Sequence, residues 1–254
     1  MKGKDFVDIK LNLLAGEPIS FGDDILVKPV KLKDIKKIGI SKYMHYLSIL
    51  LLDNEQLQEI GLIKKSNIGK VEIKPFNVFM MFYFFNKDVF DLFLDAVKFF
   101  MQINDIDVEQ ETKQRLVLYA NTKNKKVKYI DGNNFEEFKE ILMYQNYRKD
   151  IKDAKFKPAN KKAEELMKKR DEVKKQINDK SKEKALDLSD IISIVSTYSE
   201  NINIMNVWDL TVYQLYHTYI RLIVLDEYQS GFHAKLHSAE PDKIKIEHWA
   251  KKVE

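Results

Sequence analysis

The sequence predicts an α+β fold that is predominantly α-helical: a small mixed N-terminal domain with a few strands (1–147), a long charged connector helix (148–185) and a helical C-terminal domain (186–254). Three observations predict it. Apolar residues recur at three- and four-residue spacing through much of the chain, as in helices with one buried face. Short β-branched runs bounded by Gly, Pro and Asn fall within the first 130 residues. Between 148 and 185 large apolar residues nearly vanish, and 146–185 holds 15 Lys and Arg against 8 Asp and Glu. At 254 residues the chain is long enough for one large or two modest domains with a real core.

Taken in order, residues 5–12 and 25–30 alternate roughly and read as two strands, with Gly16, Pro18 and Gly22 in the loop between them. Residues 32–38 form a short helix stopped by Gly39. Ser41 then caps a second helix to about residue 52, with Tyr43, Tyr46, Leu47 and Leu50 on its apolar face. Residues 53–74 read as a short helix, a turn at Gly69 and a short strand at 71–73. Pro75 opens the most apolar stretch, and 76–85 (FNVFMMFYFF) is expected to be a buried helix, although its pattern also fits a strand. The next helix, 88–103, places Phe90, Phe93, Leu94, Val97 and Met101 on one face. Nine of the 15 phenylalanines lie in 76–100, which marks this pair as the N-terminal core. Strands at 116–120 and 127–130 follow, joined by a polar turn. Asn134 and Glu137 then form a capping pair for a helix that buries Phe135, Phe138, Ile141 and Leu142.

In the connector, Pro158 is a natural first-turn residue, and Ala159, Ala163, Leu166, Val173 and Ile177 make a thin apolar stripe. Glu164–Lys168, Glu165–Lys169 and Asp171–Lys175 are i,i+4 pairs in the favourable order, each worth about 0.2–0.5 kcal/mol. Asp187 caps a helix over 188–198. Thr211 and Gln214 then form a capping box for the main C-terminal helix. Behind that box Trp208, Val212, Leu215, Tyr216, Tyr219 and Ile223 recur at helical spacing, and Tyr213, Ile220, Leu222 and Val224 add apolar surface on other sides. Such a helix is expected to be buried among other elements. It can run on through Leu225, Tyr228, Phe232 and Leu236 with an interruption at Gly231, and 243–252 closes the chain as a short amphipathic element.

No catalytic constellation is present. His233 and His237 lie four apart and would face one way on a helix, as zinc ligands do. However, Ala234 stands where a metalloprotease needs Glu, and a third ligand would have to come from His217, Glu227 or His248. Asp105, Asp107, Glu109 and Glu111 alternate like a calcium loop, but Gln110 occupies the position that needs glycine. They read as the solvent side of an extended segment. There is no GxGxxG, no GxxxxGK[ST], no GxSxG and no cysteine, so no phosphate loop, nucleophile elbow or thiolate site is expected. The lysines of 157–184 are interleaved with acids and lack stacking aromatics, which speaks against nucleic acid as a partner. No secretory signal is evident, and the most apolar run is about half the roughly 20 residues that span a bilayer. A soluble chain with no membrane partner is expected.

NINIMNVWDLTVYQL at 201–215 and KIKIEHWAKK at 243–252 resemble the tail assembly chaperone-like family of siphophages and prophages of low-GC Gram-positive bacteria. LKDIKKIGISKYMHYLSIL at 32–50 looks like the family's N-terminal helix pair, and PANKKAEELMKKR at 158–170 like its charged connector. Where the family reads LLAGA or similar, this chain has FHAKLHSA at 232–239, so no ligand role for the histidines comes with the resemblance. The resemblance implies a non-enzymatic role in the host cell cytoplasm, with no cofactor. The protein would coat the tape-measure protein and assist delivery of the tail-tube protein, with self-association as a further partner class. A structural tail or connector component retained in the virion is the rival. Partner-binding candidates are Leu166, Val173 and Ile177 of the connector stripe and the aromatics Trp208, Tyr213, Tyr216, Tyr219 and Trp249. For any single one of these aromatics, intramolecular packing is the favoured reading.

Overall fold

The computed structural model describes residues 6–21, 25–52, 75–112, 115–122, 125–147 and 186–252. The readings made for 53–74 and for the connector lie outside the described residues. The fold is α+β and mostly helical, with short antiparallel strands. The chain divides into two units, one of Met1–Arg148 with Trp208–His217 and the other of Lys149–Val207 with Thr218–Glu254. The ten residues from Trp208 to His217 therefore belong with the N-terminal sequence.

The first unit opens with helix α1 (Phe6–Ala15), where a strand was expected. Val7, Ile9, Leu11 and Leu13 do alternate, but the structure follows the four-residue spacing. Ile9 and Leu13 are buried while Leu11 is 58% exposed. The helix ends in a Schellman turn: Glu17 N–H donates to the Asn12 carbonyl, Gly16 N–H to that of Leu13, and Gly16 takes φ 73°. Strands β1 (Ile19–Phe21) and β2 (Ile25–Val27) then pair as an antiparallel hairpin. The expected strand at 25–30 is thus shorter, and its partner lies in the stretch read as loop. Ile19, Ile25 and Val27 face inward, and Ser20 and Leu26 outward.

Helices α2 (Leu32–Ile38) and α3 (Ile40–Leu51) follow with Gly39 between them. Gly39, at φ 84°, ends α2 and is also the N-cap of α3, so Ser41 is not the cap. Tyr43, Tyr46, Leu47 and Leu50 are buried as their spacing predicts. Helices α4 (Pro75–Phe85) and α5 (Lys87–Met101) pack as a pair joined by Asn86, whose side chain accepts from Val89 N–H. Phe79 and Phe93 stack across the pair at 4.5 Å, and the Phe135 ring lies 5.9 Å from Phe93 and 5.5 Å from Phe76. This is the predicted phenylalanine core. Only the first half of α4 enters it, however, with Phe76, Val78, Phe79 and Met80 buried. Met81, Tyr83, Phe84 and Phe85 are exposed, contrary to the expectation of a wholly buried helix.

Strands β3 (Ile106–Thr112), β4 (Arg115–Thr122) and β5 (Lys125–Ile130) form an antiparallel sheet in sequence order. Asp107 and Glu109 are exposed on β3, as the extended reading required. The β4–β5 register slips by one between Leu118 and Tyr119. Helix α6 (Phe135–Gln145) carries Phe135, Phe138, Ile141 and Leu142 into the core. Asn134 is its N-cap, as expected, but the Asn134 side chain makes no capping hydrogen bond to the helix. Asp131 turns the chain instead, its carboxylate accepting from Asn133 and Asn134 N–H while Asn134 Oδ1 accepts from Asp131 N–H. Two polar side chains of α6 tie it to earlier elements. Lys139 Nζ donates to the Leu52 carbonyl at the end of α3 (3.0 Å), and Gln145 Nε2 to the Val27 carbonyl on β2 (3.0 Å). Just beyond, Tyr43 OH donates to Asn146 Oδ1.

In the second unit, α7 (Leu188–Tyr198) starts at the predicted Asp187 cap, which forms a reciprocal box with Asp190 and is followed by buried Ile191, Ile192 and Val195. Asn203 then folds an Asx turn, accepting from Met205 N–H. Helix α8 (Val212–His237) runs unbroken through Gly231. Its buried residues are Val212, Tyr213 and Leu215 alone, all in the first turn, so the expectation of a helix buried all round fails. Beyond a 3-10 turn at Pro241–Lys243, residues 244–252 are irregular where an amphipathic element was expected.

Phe93 is central to the aromatic cluster and fully buried. Replacing it with Ala should destabilise the first unit by about 3–5 kcal/mol through lost burial and a residual cavity. Chemical denaturation monitored by circular dichroism reads that loss.

Candidate interaction site

Residues 208–217, which overlap the 201–215 run of the family resemblance, are built into the first unit by main-chain hydrogen bonds. Leu32 N–H donates to the Leu210 carbonyl (2.9 Å) and Val212 N–H to the Val30 carbonyl (3.3 Å). These flank Lys31 and Thr211, which face each other as an isolated antiparallel bridge. With its hydrogen bonds on either side, this is a narrow, non-hydrogen-bonded pair, whose Cα atoms lie about 4.5 Å apart in such geometry. Thr211 thereby sits at the start of α8. The predicted capping box forms in both directions: Gln214 N–H donates to Thr211 Oγ1 (3.2 Å), and Thr211 N–H to Gln214 Oε1 (2.9 Å).

Gln214 does more than cap its own helix. Its Nε2 donates to the Leu14 carbonyl (2.9 Å), one of the orphan acceptors at the end of α1. A Cβ on Gly16 would approach that same amide nitrogen to 3.1 Å. Gly16 is required for its positive φ, and a side chain there would also press on the Gln214 amide. The start of α8 and the stop of α1 share one polar cluster.

Around it the aromatics of the segment find partners. Lys36 Nζ lies 4.8 Å from the centre of the Trp208 ring, within cation–π range. Tyr147, at φ 55°, places its ring 5.2 Å from Tyr213 and stacks on Tyr216 at 6.1 Å. Tyr213 is only 7% exposed, and its ring also stacks with that of His217. Lys33 and Asp209 form an exposed ion pair at 2.8 Å. Their mutual hydrogen bond and charge raise the pKa of Lys33 and lower that of Asp209. Burial, with the neighbouring Tyr147 adding to it, raises the pKa of Tyr213.

The second unit shows a different surface. The chain end lies back along α8: Arg221 Nη1 donates to the Lys251 carbonyl (2.8 Å), the Tyr228 and His248 rings meet edge-on at 5.3 Å, and Ile246 lies over Gly231. The Glu247–Lys251 contact at 2.6 Å raises the lysine pKa and lowers that of the carboxylate. Phe232, Leu236 and Trp249 remain exposed, with Leu236 at 63%. His233 and His237 are exposed on the same helix. Among the described residues, no group of three or more His, Asp or Glu could hold a metal ion, and no helix is long and apolar enough to cross a membrane.

The structure therefore brings Trp208, Tyr213 and Tyr216 into the first unit and leaves Tyr219 half-buried and Trp249 exposed in the second. Leu166, Val173 and Ile177 lie outside the described residues. Sequence reasoning missed Lys36, Tyr147 and the second role of Gln214, since each depends on a contact distant in the chain. A signal for the end of α1 existed in Leu-Ala-Gly followed by Pro18, a helix-stop pattern.

Two outcomes follow. Because the chain has no cysteine, a Lys31→Cys/Thr211→Cys pair should oxidise to one intramolecular disulfide at that narrow pair. Faster migration on a non-reducing gel, lost on reduction, is the readout. A mixture of interchain dimers would contradict the bridge. For Tyr213, the raised pKa means that the folded state keeps a proton the unfolded chain releases as pH passes about 10. Stability should fall as pH rises beyond that value, and Tyr213→Phe should flatten the fall. Denaturation midpoints at pH 9 and pH 11 measure it.

Residues 179–254 match the family model described as the YomV second domain, YomV being a Bacillus phage-region protein. No curated protein and no solved structure matches the chain. The matched stretch is under a third of the chain and includes α7, α8, the returning chain end and the segment that docks in the first unit. Its C-terminal part is thus similar to a phage-derived domain.

Proposed function

We propose that this protein is a phage tail assembly chaperone-like protein: a non-enzymatic binder of the tape-measure protein that assists tail-tube assembly in the host cytoplasm and needs no cofactor. The observation that carries the reading is the surface of α8. This helix of 26 residues buries only its first turn and keeps Phe232 and Leu236, one turn apart, exposed. A row of that kind suits an amphipathic helix laid against it, the form a long tape-measure protein offers. The similarity of 179–254 to a phage-derived domain adds support, because the surface lies within it. The connector residues Leu166, Val173 and Ile177 supply a second apolar edge in this reading.

Co-expression with the tape-measure protein of the same gene cluster, followed by affinity capture and light scattering, tests it. A soluble complex with several copies of this chain per tape-measure chain is expected. Phe232→Ser/Leu236→Ser should lose most of the captured partner while the helix content is unchanged. If the tape-measure protein stays insoluble and nothing co-elutes, the chaperone reading falls. Recovery of this chain from finished particles at fixed copy number would instead identify a structural component of the virion.

A further inference from the structure

The second half of α4 presents a surface that neither the core nor the reading above uses. Phe85 is 80% and Phe84 61% exposed, with Met81 and Tyr83 also open to solvent. Tyr83 holds the group in place, its ring 5.1 Å from that of Phe84 and 5.1 Å from buried Phe90. Asn86 turns the chain at once into α5, which exposes Leu92 in its second turn. Several large apolar side chains exposed together, two of them phenylalanines more than half open, mark a binding surface far better than scattered single ones do.

Charge decides what can cover it. At about 100° per residue, Leu92 is followed around α5 by Asp88, Asp95 and Asp91, and only then by Lys98 and Lys87. All three aspartates are exposed. Lys87 and Asp88 follow the tip directly in the chain, and Asp91 and Asp95 come within the next two turns, so exposed carboxylates outnumber the one exposed lysine on the part of α5 that adjoins the tip. An anionic lipid surface or a nucleic acid would meet repulsion there. A symmetric contact between two copies would bring the same carboxylates toward one another. A helix with an apolar stripe bordered by lysine or arginine meets complementary charge while covering the aromatic rings.

We infer that the Phe84–Phe85 tip with the Asp88, Asp91 and Asp95 edge is a docking site for an amphipathic, basic-flanked helix of a partner protein. The site is made of first-unit residues and uses none of the α8 residues named above, so it stands or falls independently of the chaperone reading. The test uses the full chain and two synthetic helical peptides with the same leucine stripe, one flanked by lysines and the other by glutamates, titrated by fluorescence anisotropy. The lysine peptide should bind at least about tenfold more tightly, and its affinity should fall as salt is raised. Phe84→Ala/Phe85→Ala should remove binding of both peptides without changing the thermal midpoint, because these rings are exposed. Asp88→Asn/Asp91→Asn/Asp95→Asn should bring the two peptides to similar affinity and flatten the salt dependence. Equal binding of the two peptides by the unaltered chain overturns the inference, as does unchanged binding by the phenylalanine variant. Binding to anionic vesicles that the phenylalanine variant abolishes, or concentration-dependent dimers that it dissolves, would assign the surface to lipid or to a second copy and overturn it equally. Tape-measure capture that fails while the peptide result holds removes only the chaperone reading.

Discussion

The first unit depends on two main-chain hydrogen bonds between 30–32 and 210–212. They fix Thr211 beside Lys31, and from that single register the rest follows. Gln214 reaches the Leu14 carbonyl, and Tyr213 and Tyr216 come under the ring of Tyr147. Each bond is worth only about 0.5–1.5 kcal/mol net, but losing one partner would leave main-chain groups unsatisfied beside buried Val30 and Leu32. A slip of one residue would move Gln214 away from the Leu14 carbonyl and Tyr213 away from the core. The strained backbone of Tyr147 persists because ring contacts on two tyrosines hold it there.

Much of the helical framework was legible because it rests on neighbours in the chain. The Asp187 cap and the Thr211 box need only nearby residues, and the faces of α3, α5 and α6 need only helical spacing; these appear as read, and Asp190 adds to the Asp187 cap a reciprocal bond that was not read. Helix α1 was misread because Val7, Ile9, Leu11 and Leu13 satisfy alternation, while the deciding four-residue pair, Ile9 and Leu13, fits both periods. Periodicity also gives the side a residue faces but not whether anything is packed there. That is why the rich apolar content of 76–85 and of α8 suggested burial that the structure grants only to Phe76–Met80 and to the first turn of α8.

The candidate site was legible as a list of aromatics and illegible as an arrangement. Trp208, Tyr213 and Tyr216 stood out by type, yet their partners Lys36 and Tyr147 lie far away in sequence and carry no local signal. Trp249 and Tyr219 were picked for the same reason, but Trp249 remains open to solvent beside His248 and Tyr219 is half-buried. Composition ranks side chains by what they could do. Which of them are already engaged is decided by the long-range register.

The docking of Trp208–His217 among residues that precede Arg148 also has a consequence for how the chain is made. A ribosome adding about 5–20 residues per second needs several seconds to pass from the last strand partner of the N-terminal sequence to the segment that completes it. Throughout that interval the nascent polypeptide carries the Val30 and Leu32 main-chain groups and the end of α1 without their eventual neighbours. Completion of the first unit thus waits until the chain has been made through His217, and the pace of synthesis across 149–207 sets how long the newborn chain must wait for it.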